Sequence, residues 1–186
     1  MRRSDSPTGS LTGSQSPAGS NTGSASVQSD LRIRRAVRAV LLDPADRVLL
    51  ARFDFPTAIV WALPGGGVEQ HEDPLDALRR ELAEELGLVG ADIGPHVWSR
   101  LHVIPMLNGA WDGQADQIHF VRTDAFTPDP QIGWDRLNAE YVHELRWWTL
   151  AEVLASSALF APRRLGVLLG RLLVEGTPVE PIDTGV

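Results

Sequence analysis

The chain contains no cysteine and no lysine, and all 17 of its basic residues are arginine. Without thiols it can form neither a disulfide framework nor a thiolate nucleophile, and the cytoplasm is the expected compartment. Without lysine it has neither a Schiff-base amine nor the lysine of a phosphate-binding loop. No apolar run of about 18 residues or more occurs, so no membrane-spanning helix is predicted. These absences exclude disulfide-stabilised, thiol-dependent and membrane-embedded proteins.

Positive charge is scarce as well. The formal net charge is -7 at pH 7 and the sequence pI is about 5.2. Proteins that bind nucleic acid over a broad surface carry clustered positive charge, so nucleic acid is not the expected partner. A small phosphorylated ligand remains compatible with an acidic chain, because one bound cation can locally reverse the sign of the potential.

The composition divides the chain into three parts. Residues 1–30 consist mainly of Ser, Gly, Thr, Pro, Ala, Asn and Gln. Such a segment cannot bury enough apolar area to offset the entropy of ordering, so it is predicted to be a disordered low-complexity tail. Residues 31–178 are predicted to form a single domain, since this length suffices for one sizeable core. Residues 179–186 are predicted to be a C-terminal tail.

Strand and helix signals alternate along the domain, which indicates the α/β class. One helix is marked most clearly: Asp73 is a candidate N-cap, Pro74 stands at the first helical position, and Gly87 can end the helix in the left-handed conformation. Residues 124–138 are predicted to form a long loop. Strands are predicted at 36–42, 47–52, 61–63, 97–104, 117–123 and 145–148, and further helices at 150–156 and 163–174.

The segment from Gly66 to Leu88 carries the most specific pattern. Three of its glutamates, Glu81, Glu84 and Glu85, are spaced i, i+3 and i+4, so their carboxylates lie side by side on a helix. Like charges at this spacing destabilise a bare helix by roughly 0.2–0.5 kcal/mol per pair, whereas Mg²⁺ or Mn²⁺ prefers such oxygens as ligands. The alternative is a glutamate-rich solvated helix face. The neighbouring glycine run and the arginine before the first glutamate favour a metal site.

The full pattern resembles the Nudix box at every defining position. Five residues separate Gly66 from Glu72, seven more precede the triplet Arg80-Glu81-Leu82, and the pairs Glu84-Glu85 and Gly87-Leu88 follow. The resemblance implies an α/β/α sandwich with a mixed β-sheet. It also implies hydrolysis of a pyrophosphate linkage with Mg²⁺, or with Mn²⁺ instead. Homodimers are frequent in the family, so a homodimer is an alternative to a monomer.

The resemblance also implies roles for individual residues. Glu84 and Glu85 would bind metal, the carbonyl of Gly65 would add a ligand, and Glu81 would be a ligand or the general base. Arg80 would orient Glu81, although surface ion pairs with Asp76 and Glu84 are the alternative for this arginine. Glu72 would support the geometry between loop and helix or bind metal indirectly.

Family members often use a further acidic residue from a loop beyond the box. Glu140 is the first choice here, as a metal ligand or as a base, because it ends the long predicted loop. Glu144 is the alternative, and Asp135 is a weaker candidate. Surface solvation is the simpler interpretation of all three residues.

The substrate-recognising surface is harder to identify from the sequence. Trp98, Trp111 and Trp134 lie in or near predicted loops, where each could stack a base or simply pack in the core. Gly66 and Gly67 allow a ligand to approach the backbone closely. Other candidates for substrate binding are Arg52 at a strand end and Gln117, with His102 and His119, on later strands.

The predicted function is therefore Mg²⁺-dependent cleavage of a nucleoside diphosphate derivative or a nucleoside triphosphate. Two alternatives stay open. A non-catalytic nucleotide sensor could share the fold, although such sensors often lack residues of the box and none is missing here. An RNA 5′-end pyrophosphohydrolase is disfavoured by the acidic balance and the lack of lysine.

Overall fold

The computed structural model describes residues 31–106 and 109–185, so the predicted tail over residues 1–30 lies outside the described residues. None of the described helices has the length and apolar character needed to cross a membrane. The strands are β1 Ile33–Leu42, β2 Val48–Phe55, β3 Ala58–Ala62, β4 Ile93–His102, β5 Gly113–Arg122, β6 Val142–Trp148, β7 Leu159–Ala161 and β8 Ile182–Asp183. The helices are α1 Pro74–Leu86, α2 Trp134–Ala139, α3 Leu150–Ala155 and α4 Leu165–Glu175.

The strands form one mixed sheet in the order β7-β3-β2-β1-β5-β4-β8, with β6 paired to β2. β1 runs parallel to β5 over its whole length, from the pair Ile33–Gly113 to the pair Leu42–Arg122. The pairs β2–β3, β2–β6 and β4–β5 are antiparallel. Because the pairing is continuous, Arg34 of β1 lies directly opposite Gln114 of β5, and Ala36 lies opposite Asp116.

Helices cover both faces of the sheet, as an α/β/α sandwich requires. Val37, Ala39 and Leu41 of β1 pack in one core cluster with α1, whereas Val40 and Leu42 pack in another cluster with α4. A strand segment that is covered on both faces is apolar, which explains the unbroken hydrophobic run over residues 39–42 at the end of β1. The predicted α/β/α architecture with a mixed sheet is confirmed.

Helix α1 begins and ends where its sequence predicts. The Asp73 side chain accepts a hydrogen bond of 2.8 Å from the Leu75 N–H, and Pro74 occupies the first turn. Gly87 has a φ of 71°, and its N–H donates to the Ala83 carbonyl at 3.0 Å. A leucine stripe (Leu78, Leu82 and Leu86) faces the sheet and is fully buried. The stripe fixes the rotation of α1, and the glutamates therefore point to a different side.

Three short elements differ from the prediction. The predicted loop over residues 124–138 contains most of helix α2, and strands β7 and β8 were not predicted. β8 lies inside the segment predicted as a C-terminal tail, and it pairs with β4 through Trp98–Ile182 and Ser99–Asp183. Elements of two or three residues have too few positions to show a hydrophobic period. They form because a sheet edge offers unpaired backbone groups.

The structure decides between the two interpretations of Trp98. This side chain is 1% exposed and belongs to the core cluster between the sheet and α4, so it cannot stack on a substrate. Trp111 and Trp134 are 38% and 42% exposed, respectively. Only the latter two remain available to a ligand.

The Trp98→Ala variant should lose about 3–5 kcal/mol of the free energy of unfolding, because the substitution opens a large cavity in the core. The Trp111→Ala variant should change this free energy by less than about 0.5 kcal/mol, because its side chain is partly solvated. Urea denaturation of both variants checks this. Equal losses in the two variants would contradict the placement of Trp98.

Candidate active site

The glycine loop that follows β3 lies in a narrow space between β1 and α1. It pairs with β1 through hydrogen bonds from Val37 N–H to the Gly66 carbonyl at 2.9 Å and from Ala39 N–H to the Pro64 carbonyl at 3.0 Å. Gly65 has a φ of 120°, and a β-carbon at that position would collide with the Val37 carbonyl. A β-carbon at Gly66 would collide with the Glu81 carboxylate. The glycines are therefore needed for close packing as well as for backbone freedom.

Glu85 connects α1 to this loop. Its side chain is buried, and its Oε2 accepts a hydrogen bond of 3.0 Å from the Gly65 N–H. Burial disfavours the charged form and raises the pKa of Glu85 from 4.5 to about 7. A carboxylate in this environment gains stability from any cation that comes within reach.

Arg80 organises the other carboxylates. Its guanidinium donates to Glu81 Oε1 at 2.9 Å, to both oxygens of Glu72 at 2.9 and 3.0 Å, and to the Gly67 carbonyl at 3.1 Å. It lies 3.6 Å from Glu84, whereas Asp76 pairs with Arg79 instead. The main contacts of Arg80 thus join the loop to the helix and hold Glu81, so the alternative of simple surface pairs does not describe them.

Glu81 lies partly buried beneath the glycine loop. Burial raises the pKa of the Glu81 carboxyl above its ordinary value, although hydrogen bonding to Arg80 opposes this effect. The next carboxylate, Glu84, has a side chain that is 41% exposed. The three glutamates of α1 therefore occupy a gradient from deep burial at Glu85 to solvent at Glu84.

An open cleft of about 840 Å³ lies beside these glutamates. Its carboxylates are Glu69, Glu81, Glu84, Glu85 and Glu140, and its guanidinium groups come from Arg34, Arg35, Arg80 and Arg136. Gly67 and Trp111 also line the cleft. A pocket with both carboxylates and guanidinium groups can hold a cation and a phosphate chain side by side.

Some of the predicted site residues lie elsewhere. Glu144 accepts a hydrogen bond of 3.0 Å from Arg52, whose guanidinium also binds Asp54 at 2.7 Å. Gln117 is exposed on β5 between Val37 and Ser99. Arg52, Glu144 and Gln117 do not line the cleft, because their strands place them beyond it. Between the two candidate loop acids, the geometry favours Glu140, which ends helix α2 at the cleft.

Apart from Arg80, the basic residues of the cleft were not predicted from the sequence. Arg34 and Arg35 are the second and third residues of β1, and Arg136 lies on α2, most of which the sequence analysis had assigned to a loop. A run of arginines before a strand resembles ordinary surface charge. The pairing of the glycine loop with β1 brings Arg34 and Arg35 to the cleft, and helix α2 brings Arg136 there.

Carboxylate oxygens are the type of ligand that a hard divalent cation prefers, but the carboxylates of the cleft are not arranged around a common point. Within residues 31–106 and 109–185, no three His, Asp or Glu side chains are arranged closely enough to hold a metal ion. Glu81 is turned toward Arg80, and Glu85 toward the Gly65 N–H. Even so, a buried carboxylate with a raised pKa beside two further glutamates is the donor set that Mg²⁺ or Mn²⁺ prefers.

Comparison with known proteins gives a consistent family assignment. A family model described as the NUDIX domain matches residues 32–168. Nudix hydrolase 26, chloroplastic, from Arabidopsis thaliana is 40% identical over 139 residues, which cover 68% of this chain and 63% of that protein. An RNA pyrophosphohydrolase from Gluconacetobacter diazotrophicus is 42% identical over 66 residues, which cover 32% of this chain and 40% of that protein. The chain thus spans less than two thirds of these relatives.

A solved structure shares the fold. The crystal structure of a MutT NUDIX hydrolase from Burkholderia pseudomallei superposes with a TM-score of 0.54 at 24% sequence identity. The match covers 76% of this chain and 98% of that chain. The likeness supports the sandwich architecture described above.

The burial of Glu85 predicts how the metal-free protein responds to pH. The folded protein binds the Glu85 proton more tightly than the unfolded chain does, so this group's contribution to stability is fully present at low pH. It is lost as the pH rises from 4.5 through about 7. In EDTA, the Tm of the wild type should therefore fall on the order of 5 °C further between pH 5 and pH 8 than that of Glu85→Gln. Parallel Tm curves for the two proteins would contradict the raised pKa.

Proposed function

Because the chain belongs to the NUDIX family, we propose that it hydrolyses a pyrophosphate linkage in a nucleoside diphosphate derivative or a nucleoside triphosphate with the help of Mg²⁺. One observation carries this proposal. The glutamates of α1, Gly67 of the glycine loop and a set of arginines line the same cleft, so that a cation and a phosphate chain would meet there.

The proposed cation ligands come from helix α1, from the glycine loop beside it and from the end of helix α2. Glu85 supplies a buried carboxylate, and the other oxygens come from more exposed groups that can adjust. When bound, the cation neutralises charge on the phosphate oxygens and lowers the pKa of water. The proposed ligands are Glu81, Glu84, Glu85, Glu140 and the carbonyl of Gly65.

The proposed chemical step needs one proton acceptor. The oxygen of a water molecule bonds to phosphorus while the bridging P–O bond breaks, and the proton of the water passes to a carboxylate, Glu81 or Glu140. The raised pKa of Glu81 supports its role as this base, and its hydrogen bond to Arg80 would hold the carboxylate in place. The products are a nucleoside monophosphate and the phosphorylated remainder of the substrate.

Substrate contacts are proposed from the walls of the cleft. Arg34, Arg35 and Arg136 present guanidinium groups to a phosphate chain, and Trp111 offers an exposed ring to a base. The side chains of Glu81 and Arg34 pack directly against Gly66 and Gly67, so these glycines bring a carboxylate and a guanidinium group close to the loop backbone. Because Arg52 and Gln117 lie away from the cleft, they have no part in the proposed substrate site.

An RNA with a 5′-triphosphate is the second candidate substrate. The relative named RNA pyrophosphohydrolase is the observation in its favour. The net charge of -7 opposes it, because a long RNA would be repelled outside the cleft. Measurements at two salt concentrations separate the candidates, since binding of a long RNA weakens steeply with salt.

The central test is turnover of a substrate panel with Mg²⁺. The panel contains ADP-ribose, diadenosine polyphosphates, nucleotide sugars, normal and oxidised nucleoside triphosphates and a 5′-triphosphorylated RNA. Glu84→Gln should lower kcat by about 100-fold or more, because it removes a charged cation ligand. Glu175→Gln is the matched control, since Glu175 is an exposed helical glutamate on α4 whose partner is Arg171. Tight binding without turnover across the panel would contradict the hydrolase and favour a sensor.

The identity of the loop acid forms a separate prediction. Glu140→Gln should lower kcat by about 100-fold, because the residue faces the cleft as a ligand or base. The loss in Glu144→Gln should be much smaller, because this side chain pairs with Arg52 instead. Steady-state kinetics of the two variants on the best substrate decides the question. A larger loss in Glu144→Gln would contradict the assignment of Glu140.

A further inference from the structure

A buried polar network lies behind the glycine loop and outside the set of box residues. Its centre is Asp116 of β5, whose side chain has no exposed surface. Asp116 Oδ1 accepts hydrogen bonds from Arg38 Nε at 3.0 Å and from Gln114 Nε2 at 2.7 Å. Asp116 Oδ2 accepts from Arg100 at 3.2 Å. One carboxylate thus holds donors from three neighbouring strands, β1, β5 and β4.

The other end of Arg38 reaches the glycine loop. While Nε is held by Asp116, NH1 donates to the Leu63 carbonyl at 2.8 Å and to the Gly65 carbonyl at 3.1 Å. The N–H of Gly65 is bound by Glu85. Gly65 is therefore fixed on both sides, at its carbonyl by Arg38 and at its amide by a glutamate of α1.

We propose that Asp116 and Arg38 are positioning residues that fix the direction of the Gly65 carbonyl and thereby set the divalent-cation affinity of the site. This inference rests on the proposed function, in which that carbonyl is a cation ligand. Asp116 fixes the guanidinium through Nε, and the planar fork of Arg38 then places a second donor on the loop. A carbonyl oxygen has two lone pairs, so it can accept from Arg38 and still face a cation.

The charge state of Asp116 is consistent with this role. Burial alone would raise the pKa of Asp116, but the nearby Arg38 and Arg100 hold it below its ordinary value. The carboxylate is therefore ionised at neutral pH and keeps its charged hydrogen bond with Arg38. The partly buried Arg34 adds positive charge beside Gly67 of the loop. Its guanidinium donates a hydrogen bond of 3.2 Å to the Gln114 side chain, which in turn binds Asp116.

Strand cohesion does not account for this network. β1 and β5 are already paired over ten consecutive positions, and β4 is paired with β5 by its own backbone ladder. A buried ion pair is costly to desolvate, and well-packed apolar residues often stabilise such a position equally well. What an apolar pair could not do is donate to the carbonyls of Leu63 and Gly65. The particular contribution of the network is thus the orientation of the loop.

The test compares cation affinity with stability in three variants of the full chain. Mn²⁺ binding to the metal-free protein is titrated by electron paramagnetic resonance, and Tm is measured in EDTA. Asp116→Asn should raise the Kd for Mn²⁺ by about 10–100-fold, the usual effect of disturbing groups behind metal ligands. Arg38→Lys should raise it in the same direction, because lysine keeps the charge but loses the fork.

Asp43→Asn is the matched control. Asp43 is also fully buried and paired with an arginine, Arg47, but it lies in the turn beyond the opposite end of β1. This variant should lower Tm and leave the Kd for Mn²⁺ unchanged. If Asp116→Asn does not fold, Arg38→Lys decides the question, because it retains a cation beside Asp116.

The outcomes separate the inference from the proposed function. A wild type that binds no Mn²⁺ contradicts the proposed function and the inference together. Normal binding by the wild type with unchanged or tighter binding by the folded Asp116 and Arg38 variants contradicts the positioning role alone. Weaker binding by those variants, with Asp43→Asn behaving as the wild type, establishes it.

Discussion

The hydrogen bond from the Gly65 N–H to the buried Glu85 carboxylate is the contact on which the site depends. It joins the loop after β3 to the last turn of α1, and the contacts of Arg80 with Gly67 and Glu72 join the same two segments nearer the middle of the helix. The leucine stripe of α1 fixes the rotation of the helix, and the bond fixes the loop against it. With both constraints in place, Glu81 and Glu84 must face the cleft.

This arrangement concentrates negative charge, which has a cost in the absence of a cation. Glutamates at i, i+3 and i+4 repel one another, and burial makes the repulsion stronger at Glu85. Arginines offset part of it: Arg80 binds Glu81 directly, and Arg38 lies behind the loop. The metal-free protein can therefore fold with its carboxylates gathered, and protonation of Glu85 near neutral pH provides further relief.

The parts of the structure that follow from local sequence could be predicted, and the parts that follow from register could not. The caps Asp73 and Gly87, the leucine stripe and the glutamate cluster depend on spacing within one helix, so the sequence contains them. The contact between Arg38 and Asp116 joins residues 78 positions apart, and it exists only because β1 and β5 are parallel and in one register. No spacing rule within a single segment reveals such a pair.

The contrast between local sequence and tertiary placement also explains why only one of the two candidate loop acids lines the cleft. Glu140 and Glu144 both follow the long predicted loop and precede the predicted strand at 145–148, so the sequence favours Glu140 only for its nearness to the loop. Helix α2 turns Glu140 toward the cleft, whereas pairing between β6 and β2 brings Glu144 beside Arg52. Glu140 lines the cleft and lies 3.8 Å from Arg136, whereas Glu144 is hydrogen-bonded to Arg52 away from the cleft. The tertiary position of each acid therefore determines which one reaches the cleft.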